Sequence, residues 1–205
     1  MNIYEKYCLP HLLNCICNLK AVQKQRKKVV PLAKGQVLEI GMGGGLNIPY
    51  YDTDKIDFVW GLEPSEGMRM KAKNNIQNAP FEVRLLGGTS EEIPLDDNSI
   101  DSIVLTYTLC TIPDWHTALR QMSRVLKSDG TLIFCEHGAA PTEDVRKWQD
   151  RLNPFWNKIA GGCNLNRPIP QLIEQGGFTI QKMESQYNDG PKVASFEYWG
   201  TANLC

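Results

Sequence analysis

The sequence predicts a three-layer α/β/α sandwich: a mostly parallel sheet with helices on both faces, finished by a C-terminal antiparallel hairpin. Three observations carry this. From Gln36 to Glu136, short β-branched runs alternate with stretches of helical periodicity, and such alternation builds right-handed βαβ units with parallel strands. The first apolar run, Val37–Ile40, passes directly into Gly41-Met42-Gly43-Gly44-Gly45. Near the C-terminus, two strand-like runs flank Asn188-Asp189-Gly190-Pro191, a cluster of turn-forming residues.

Taken in order, the first thirty residues read as a helix. Leu9, Leu12, Leu13, Ile16 and Leu19 recur at helical spacing, and Pro10 fits only a first turn. Lys20, Lys24, Arg26, Lys27 and Lys28 form a basic end, and Pro31 stops the helix. Strands follow at Val37–Ile40, Phe58–Leu62, Phe81–Leu86, Ile100–Tyr107 and Thr131–Cys135. Helices are expected at Met68–Ile76 and at His116–Leu126, where Leu119, Met122, Val125 and Leu126 form one stripe. Ser128-Asp129-Gly130 reads as a turn. Beyond Glu136 comes a Trp-rich helical stretch, then a polar loop from Gly161 to Pro168 and a short helix ending at Gly176-Gly177. The final strands are Phe178–Gln186 and Val193–Thr201.

Composition narrows the function classes. The chain has 205 residues, 42% hydrophobic and 22% charged, with a formal net charge of -1. That suits one packed domain, and it argues against a general nucleic-acid binder, which carries a basic excess. Seven cysteines form no CxxC pair, and with three histidines there is no zinc-type spacing, so no metal site is expected. Cys110 and Cys135 sit in apolar runs and read as reduced core thiols. No stretch reaches the ~20 apolar residues of a membrane span. The basic cluster follows the N-terminal apolar stretch instead of preceding it, unlike a signal peptide. The expectation is a cytoplasmic protein.

A glycine turn after the first parallel strand lets the backbone approach a ligand closely. Eighteen residues after Gly45 the second strand ends in Glu63, an acid able to accept hydrogen bonds from both hydroxyls of a ribose. Two nucleoside cofactor types use this arrangement. The nicotinamide fingerprint G-x-G-x-x-G requires a glycine where Leu46 stands. Glu39 has the wrong sign beside a pyrophosphate but suits a cationic ligand with an ammonium and a sulfonium centre.

Glu39-Ile40-Gly41-x-Gly43-x-Gly45, followed by Gly61-Leu62-Glu63-Pro64-Ser65, resembles the first two motifs of class I SAM-dependent methyltransferases. Gly88-Thr89-Ser90-Glu91, Ile93-Pro94-Leu95, Asn98-Ser99-Ile100-Asp101 and the run from Arg124 to Gly130 are similar to the ubiquinone-biosynthesis type. The resemblance implies a Rossmann-like fold and SAM as cofactor. It implies Gly41, Gly43 and Gly45 along the methionine part, Glu39 toward its amino group and Glu63 on the ribose. Pro64, Ser65, Ser90 and Glu91 would border the adenine, and Thr106 and Tyr107 would face the methionine tail or methyl group. Glu91 also suits a helix N-terminus, and Tyr107 plain packing.

Farther on, Glu136-His137, Trp148-Gln149, Asn153-Pro154, Trp156, the run Gly161 to Arg167 and Tyr198-x-Gly200-x-Ala202 occur in order. They resemble the methyltransferase-like family that includes animal alkyl-thiol S-methyltransferases. That resemblance implies a small lipophilic acceptor, with a thiol first and an O-, N- or C-methylated lipid, phospholipid or quinone as the alternative. The animal enzymes begin with a membrane anchor that has no counterpart here. His137 is the candidate catalytic base, or else a bonded strand-end histidine. Trp148, Trp156 and Cys163 would wall the acceptor pocket, unless the tryptophans only pack a helix. Asn164 and Arg167 belong to a lid or a solvated turn. One domain, 1–205, then comprises a helical lid (1–30), a cofactor core (36–136) and an acceptor region with the hairpin (137–205). The basic end of the lid reads either as a solvated face or as a contact with an anionic membrane surface.

Overall fold

The computed structural model describes His11, Cys15 and residues 17–205. One sheet contains β1 (Gly35–Ile40), β2 (Ile56–Leu62), β3 (Glu82–Leu86), β4 (Ile100–Thr106), β5 (Leu126–His137), β6 (Phe178–Tyr187) and β7 (Phe196–Leu204). The helices are α1 (Lys20–Val29), α2 (Glu66–Gln77), α3 (Trp115–Val125), α4 (Glu143–Ile159) and α5 (Ile169–Gln175). The strand order is β3-β2-β1-β4-β5-β7-β6. β1 to β5 pair in parallel, while β7 runs antiparallel to both β5 and β6. From β1 the chain builds outward through β2 to β3, then crosses back to place β4 on the other side of β1. That reversal opens a crevice at the carboxyl ends of β1 and β4.

Strand alternation sorts the core into two layers. Leu38, Ile40, Ile103 and Leu105 pack with Leu119, Met122 and Val125 of α3 and with Ile169 and Ile173 of α5. Val37, Val104 and Ile133 face the other way, against Val29 and Val30 at the end of α1. Asp114 caps α3 by accepting the Thr117 N–H at 3.0 Å, and Ser65 caps α2 by accepting that of Met68 at 3.3 Å. At the C-terminal hairpin, Gly200 lies beneath a β6 bulge, where a Cβ would fall 1.9 Å from the Lys182 carbonyl oxygen.

Three expectations change. The helix read over the first thirty residues is interrupted at Asn18 and Leu19, and α1 starts at Lys20. Leu9, Pro10, Leu12, Leu13 and Ile16 lie outside the described residues. Ser128-Asp129-Gly130 does not end a segment. β5 runs through it with a bulge, since Ile100 pairs with Leu126 and Ser102 next with Thr131. The last strand starts at Phe196 instead of Val193, because residues 188–195 make a broad loop, closed by Asn188 N–H to Ser195 O at 2.8 Å.

Candidate active site

The crevice widens into a cavity of about 940 Å³. The ends of β1, β2 and β4, the loop after β3 and α1 enclose one half. The end of β5, the loops after β4 and α4 and the β6–β7 loop enclose the other.

Backbone conformation shapes the first half. Gly41 has φ +64, and a Cβ there would stand 2.5 Å from the Thr108 side chain, so only glycine fits both demands. Glu63 is 7% exposed. Its carboxylate accepts the Gly43 N–H and the Ser65 N–H, each at 2.8 Å, and it ties the glycine loop to the second strand. Burial raises its pKa, and the two backbone donors oppose that rise. Each carboxylate oxygen retains acceptor capacity toward the cavity it lines.

Arg26 of α1 enters the same half. It is 5% exposed and lines the cavity. Its Nη1 donates to Asn47 Oδ1 at 2.5 Å and to Thr106 Oγ1 at 3.0 Å. Its Nε is buried and has no partner among the described residues, an arrangement that awaits an acceptor. Tyr107, at φ 55, is held in the left-handed region at the end of β4, where non-glycine residues are strained. Its hydroxyl donates to Glu197 Oε1 at 3.0 Å.

The second half is built around sulfur. His137 Nε2 lies 3.1 Å from Cys163 Sγ, and Trp156 Nε1 donates to the same sulfur at 3.3 Å. Cys110 completes the group: the two sulfurs and a His137 ring nitrogen all lie within 4.8 Å of one another. Glu136, fully buried, accepts the N–H groups of Thr108 (2.7 Å), Leu109 (3.0 Å) and Cys110 (3.3 Å). It therefore sets the loop that presents Cys110. Burial pushes Glu136 up to about 7, against those donors. Hydrogen bonding with Cys110, together with the facing His137, holds the Cys163 thiol far below its ordinary range. Burial disfavours a charged His137, but the Cys163 sulfur outweighs it and the imidazole pKa is raised.

Of the residues expected at the site, Gly41, Gly43, Glu63, Pro64, Ser65, Ser90, Glu91, Thr106, Tyr107, His137, Trp156 and Cys163 line the cavity. Five stand elsewhere. Glu39 is on the α1 face of β1, parity with Val37, where it accepts Asn47 Nδ2 at 3.0 Å and the Tyr51 hydroxyl at 2.7 Å. Gly45 turns its open side to Ala72 and Asn75 of α2. Trp148 is 54% exposed on α4. Asn164 bonds to the Cys110 carbonyl at 2.9 Å, and Arg167 donates to the Leu109 carbonyl, so both brace the loop behind the wall. Arg26, Cys110 and the β6–β7 loop, including Asn188 and Ser195, also line the cavity, although the sequence reading gives Arg26 only as part of a basic end, Cys110 as a core thiol and Asn188 as a turn residue. Arg26 sits in a run of lysines whose other members are exposed; its position four residues before Val30 on an otherwise apolar face was the available signal. Cys110, His137 and Cys163 come together from separate segments, with no linear spacing to reveal the cluster in the sequence.

Fold and site together define a class: a Rossmann-like α/β fold with a large crevice at the carboxyl ends of β1 and β4. The residues present fit SAM, since a glycine cradle, a buried acid with spare acceptor capacity and a buried guanidinium whose Nε has no partner among the described residues meet in one half of the cavity. The family model described as "Methyltransferase domain" matches residues 38–134. The chain is similar to thiol S-methyltransferase TMT1A of Homo sapiens, at 28% identity over 75% of this chain and 64% of that protein. It is also similar to demethylmenaquinone methyltransferase of Listeria welshimeri, at 27% identity over 72% of this chain and 64% of the relative. The match thus spans a little under two thirds of each curated relative's length. A SAM-dependent methyltransferase from Aquifex aeolicus shares the fold at TM-score 0.67, with 16% identity over 96% of this chain and 98% of its own.

Proposed function

We propose that this chain methylates the sulfur of a small lipophilic thiol. The observation that carries the reading is the continuity of one cavity, glycine-cradled at one end and walled by Cys110, His137, Trp156 and Cys163 at the other. SAM, when bound, supplies an activated methyl group. Protein residues then have to align the partners and keep water out. Glu63 accepts the ribose hydroxyls, and Arg26 directs its free Nε at the carboxylate of the amino-acid part. Ser90 and Glu91 border the adenine. Thr106 and Tyr107 stand between the two halves. The His137–Cys163 pair, which holds one proton between imidazole and sulfur, takes up the proton of the acceptor thiol, because the thiolate is the nucleophile. Apolar groups such as Ile112, Ile159 and Leu165 accommodate a lipophilic body.

The thiol S-methyltransferase relatives support this acceptor. The demethylmenaquinone relative supports O-, N- or C-methylation of a lipid, phospholipid or quinone as the second reading. A screen with labelled SAM against alkyl thiols, quinols and phospholipid amines separates them. S-methyl product is expected, and exclusive labelling of quinol or phospholipid would overturn the thiol reading. His137→Ala should lower kcat/KM for a thiol by about 100-fold or more, with S-adenosylhomocysteine affinity unchanged; equal loss of both would remove the proton-transfer role.

No helix among the described residues is long and apolar enough to cross a membrane. A cytoplasmic location accords with the thiol chemistry, and the exposed Lys20, Lys24, Lys27 and Lys28 support intermittent contact with an anionic surface. Flotation with anionic liposomes, with and without residues 1–30, tests that contact.

A further inference from the structure

We propose that Cys110, His137 and Cys163 form a binding site for one thiophilic divalent cation, zinc above all, with its fourth position open to the acceptor half of the cavity. The ligand set is two thiolates and one imidazole, the preferred chemistry of zinc. The spacing fits. Zn–S bonds of about 2.3 Å and Zn–N bonds of about 2.0 Å place tetrahedral ligand atoms roughly 3.5–3.8 Å apart, and the three atoms here already lie within 4.8 Å of one another. Small side-chain rotations close them on an ion.

The surroundings hold the ligands in place. The Cys110 carbonyl accepts both the Asn164 N–H (3.0 Å) and Asn164 Nδ2 (2.9 Å), which couples the two cysteine loops. Glu136 fixes the Cys110 N–H, and the Trp156 indole N–H points at Cys163 Sγ. Cys110 is 2% and Cys163 8% exposed, yet all three ligands line the cavity. Three protein ligands with an open fourth position mark a catalytic rather than a closed structural site.

The role of the ion rests on the thiol reading; the site itself does not. On binding, each cysteine thiol gives up a proton to solvent. An acceptor thiol entering the fourth position loses its proton in the same way and is held as a thiolate. Its sulfur then bonds to the methyl carbon as the sulfonium–methyl bond breaks, and that bonding pair stays on the departing homocysteine sulfur. The thioether product, a weaker ligand, dissociates. The ion thereby does what the imidazole does in the ion-free pair.

The test uses the full chain purified without chelator. Metal analysis should find one zinc per chain. Cobalt added to stripped protein should give thiolate charge-transfer bands and intense tetrahedral d–d bands, which shift when an alkyl thiol is added. Cys110→Ser, Cys163→Ser and His137→Ala should each weaken zinc by at least about tenfold, while Cys205→Ser, at an exposed cysteine, should not. S-adenosylhomocysteine binding reports that each variant is folded. No retained metal and no charge-transfer bands would overturn the site, as would bands that survive the Cys110→Ser/Cys163→Ser double variant. Thiol methylation indifferent to metal would sink the ion's role in catalysis and leave the function standing; tight metal binding with no thiol methylated would leave the site standing and sink the thiol reading.

Discussion

Glu39 is the residue whose position departs most from its motif's usual reading. It is 2% exposed, between Asn47 and Tyr51, and burial pushes it from 4.5 up to about 7, against the Tyr51 hydrogen bond and the Arg26 charge. The folded chain binds this proton more tightly than the unfolded chain. The stabilisation is therefore complete below the unfolded value of 4.5 and is lost as pH rises through about 7. Glu39→Gln keeps the polar partners and removes the titration. In urea unfolding without ligand, the variant should gain on the parent by about 1.4 kcal/mol per pH unit inside that window. A gap independent of pH would show that Glu39 does not titrate there. Arg26 makes a complementary case at the same scale. Arg26→Gln removes the charged donor at the cavity wall, and calorimetry should find S-adenosylhomocysteine bound about 10- to 100-fold more weakly, the worth of a charged hydrogen bond. Unaltered affinity would return Arg26 to a purely structural role.

Among the elements, α4 and its loop depend on one buried amide. Gln149, 1% exposed, donates to the carbonyls of Gly138 (3.0 Å), Leu165 (2.9 Å) and Val193 (3.1 Å), and accepts the Ala140 N–H at 2.9 Å. One side chain thus joins the exit of β5, the Cys163 loop and the β6–β7 loop. Gln149→Leu fills the space but leaves those backbone groups unpaired, at roughly 1–3 kcal/mol for each group left without a partner. Denaturant unfolding should show a loss of about 3 kcal/mol or more, with thiol turnover reduced beyond what stability explains. A loss under about 1 kcal/mol would mean that water replaces the amide. The sequence marked Gln149 only as part of a motif, since a polar residue beside Trp148 on a helix has no visible partners until three distant segments converge on it.

For the molecule as a whole, ligand binding is the measurable consequence of the fold. S-adenosylhomocysteine at about 100 times its Kd should stabilise the chain by about 2.7 kcal/mol, which for a domain of this size raises Tm by roughly 5–10 °C. NADPH should leave Tm in place, because Leu46 and the Glu63 arrangement provide no pyrophosphate site. A shift with NADPH alone would contradict the assignment of the crevice.

How much of this was legible depends on whether the signal is local. The sheet, the glycine turn and the acid at the end of β2 could be read because strand alternation, φ-permissive glycines and strand-end carboxylates express themselves within a few residues. Glu63 and Gly41 accordingly stand where expected. Glu39 could not be placed, because its facing partners Asn47, Tyr51 and Arg26 depend on how the loop folds back over β1. By itself, the sequence determined the α/β class and the glycine turn that opens the crevice, and it pointed to the ligand proposed for it. Only the tertiary structure decided that Arg26 is buried, that Trp148 faces outward, and that Cys110, His137 and Cys163 meet. Those outcomes arise from contacts between segments tens of residues apart, where packing and desolvation, rather than local periodicity, set each side chain's surroundings.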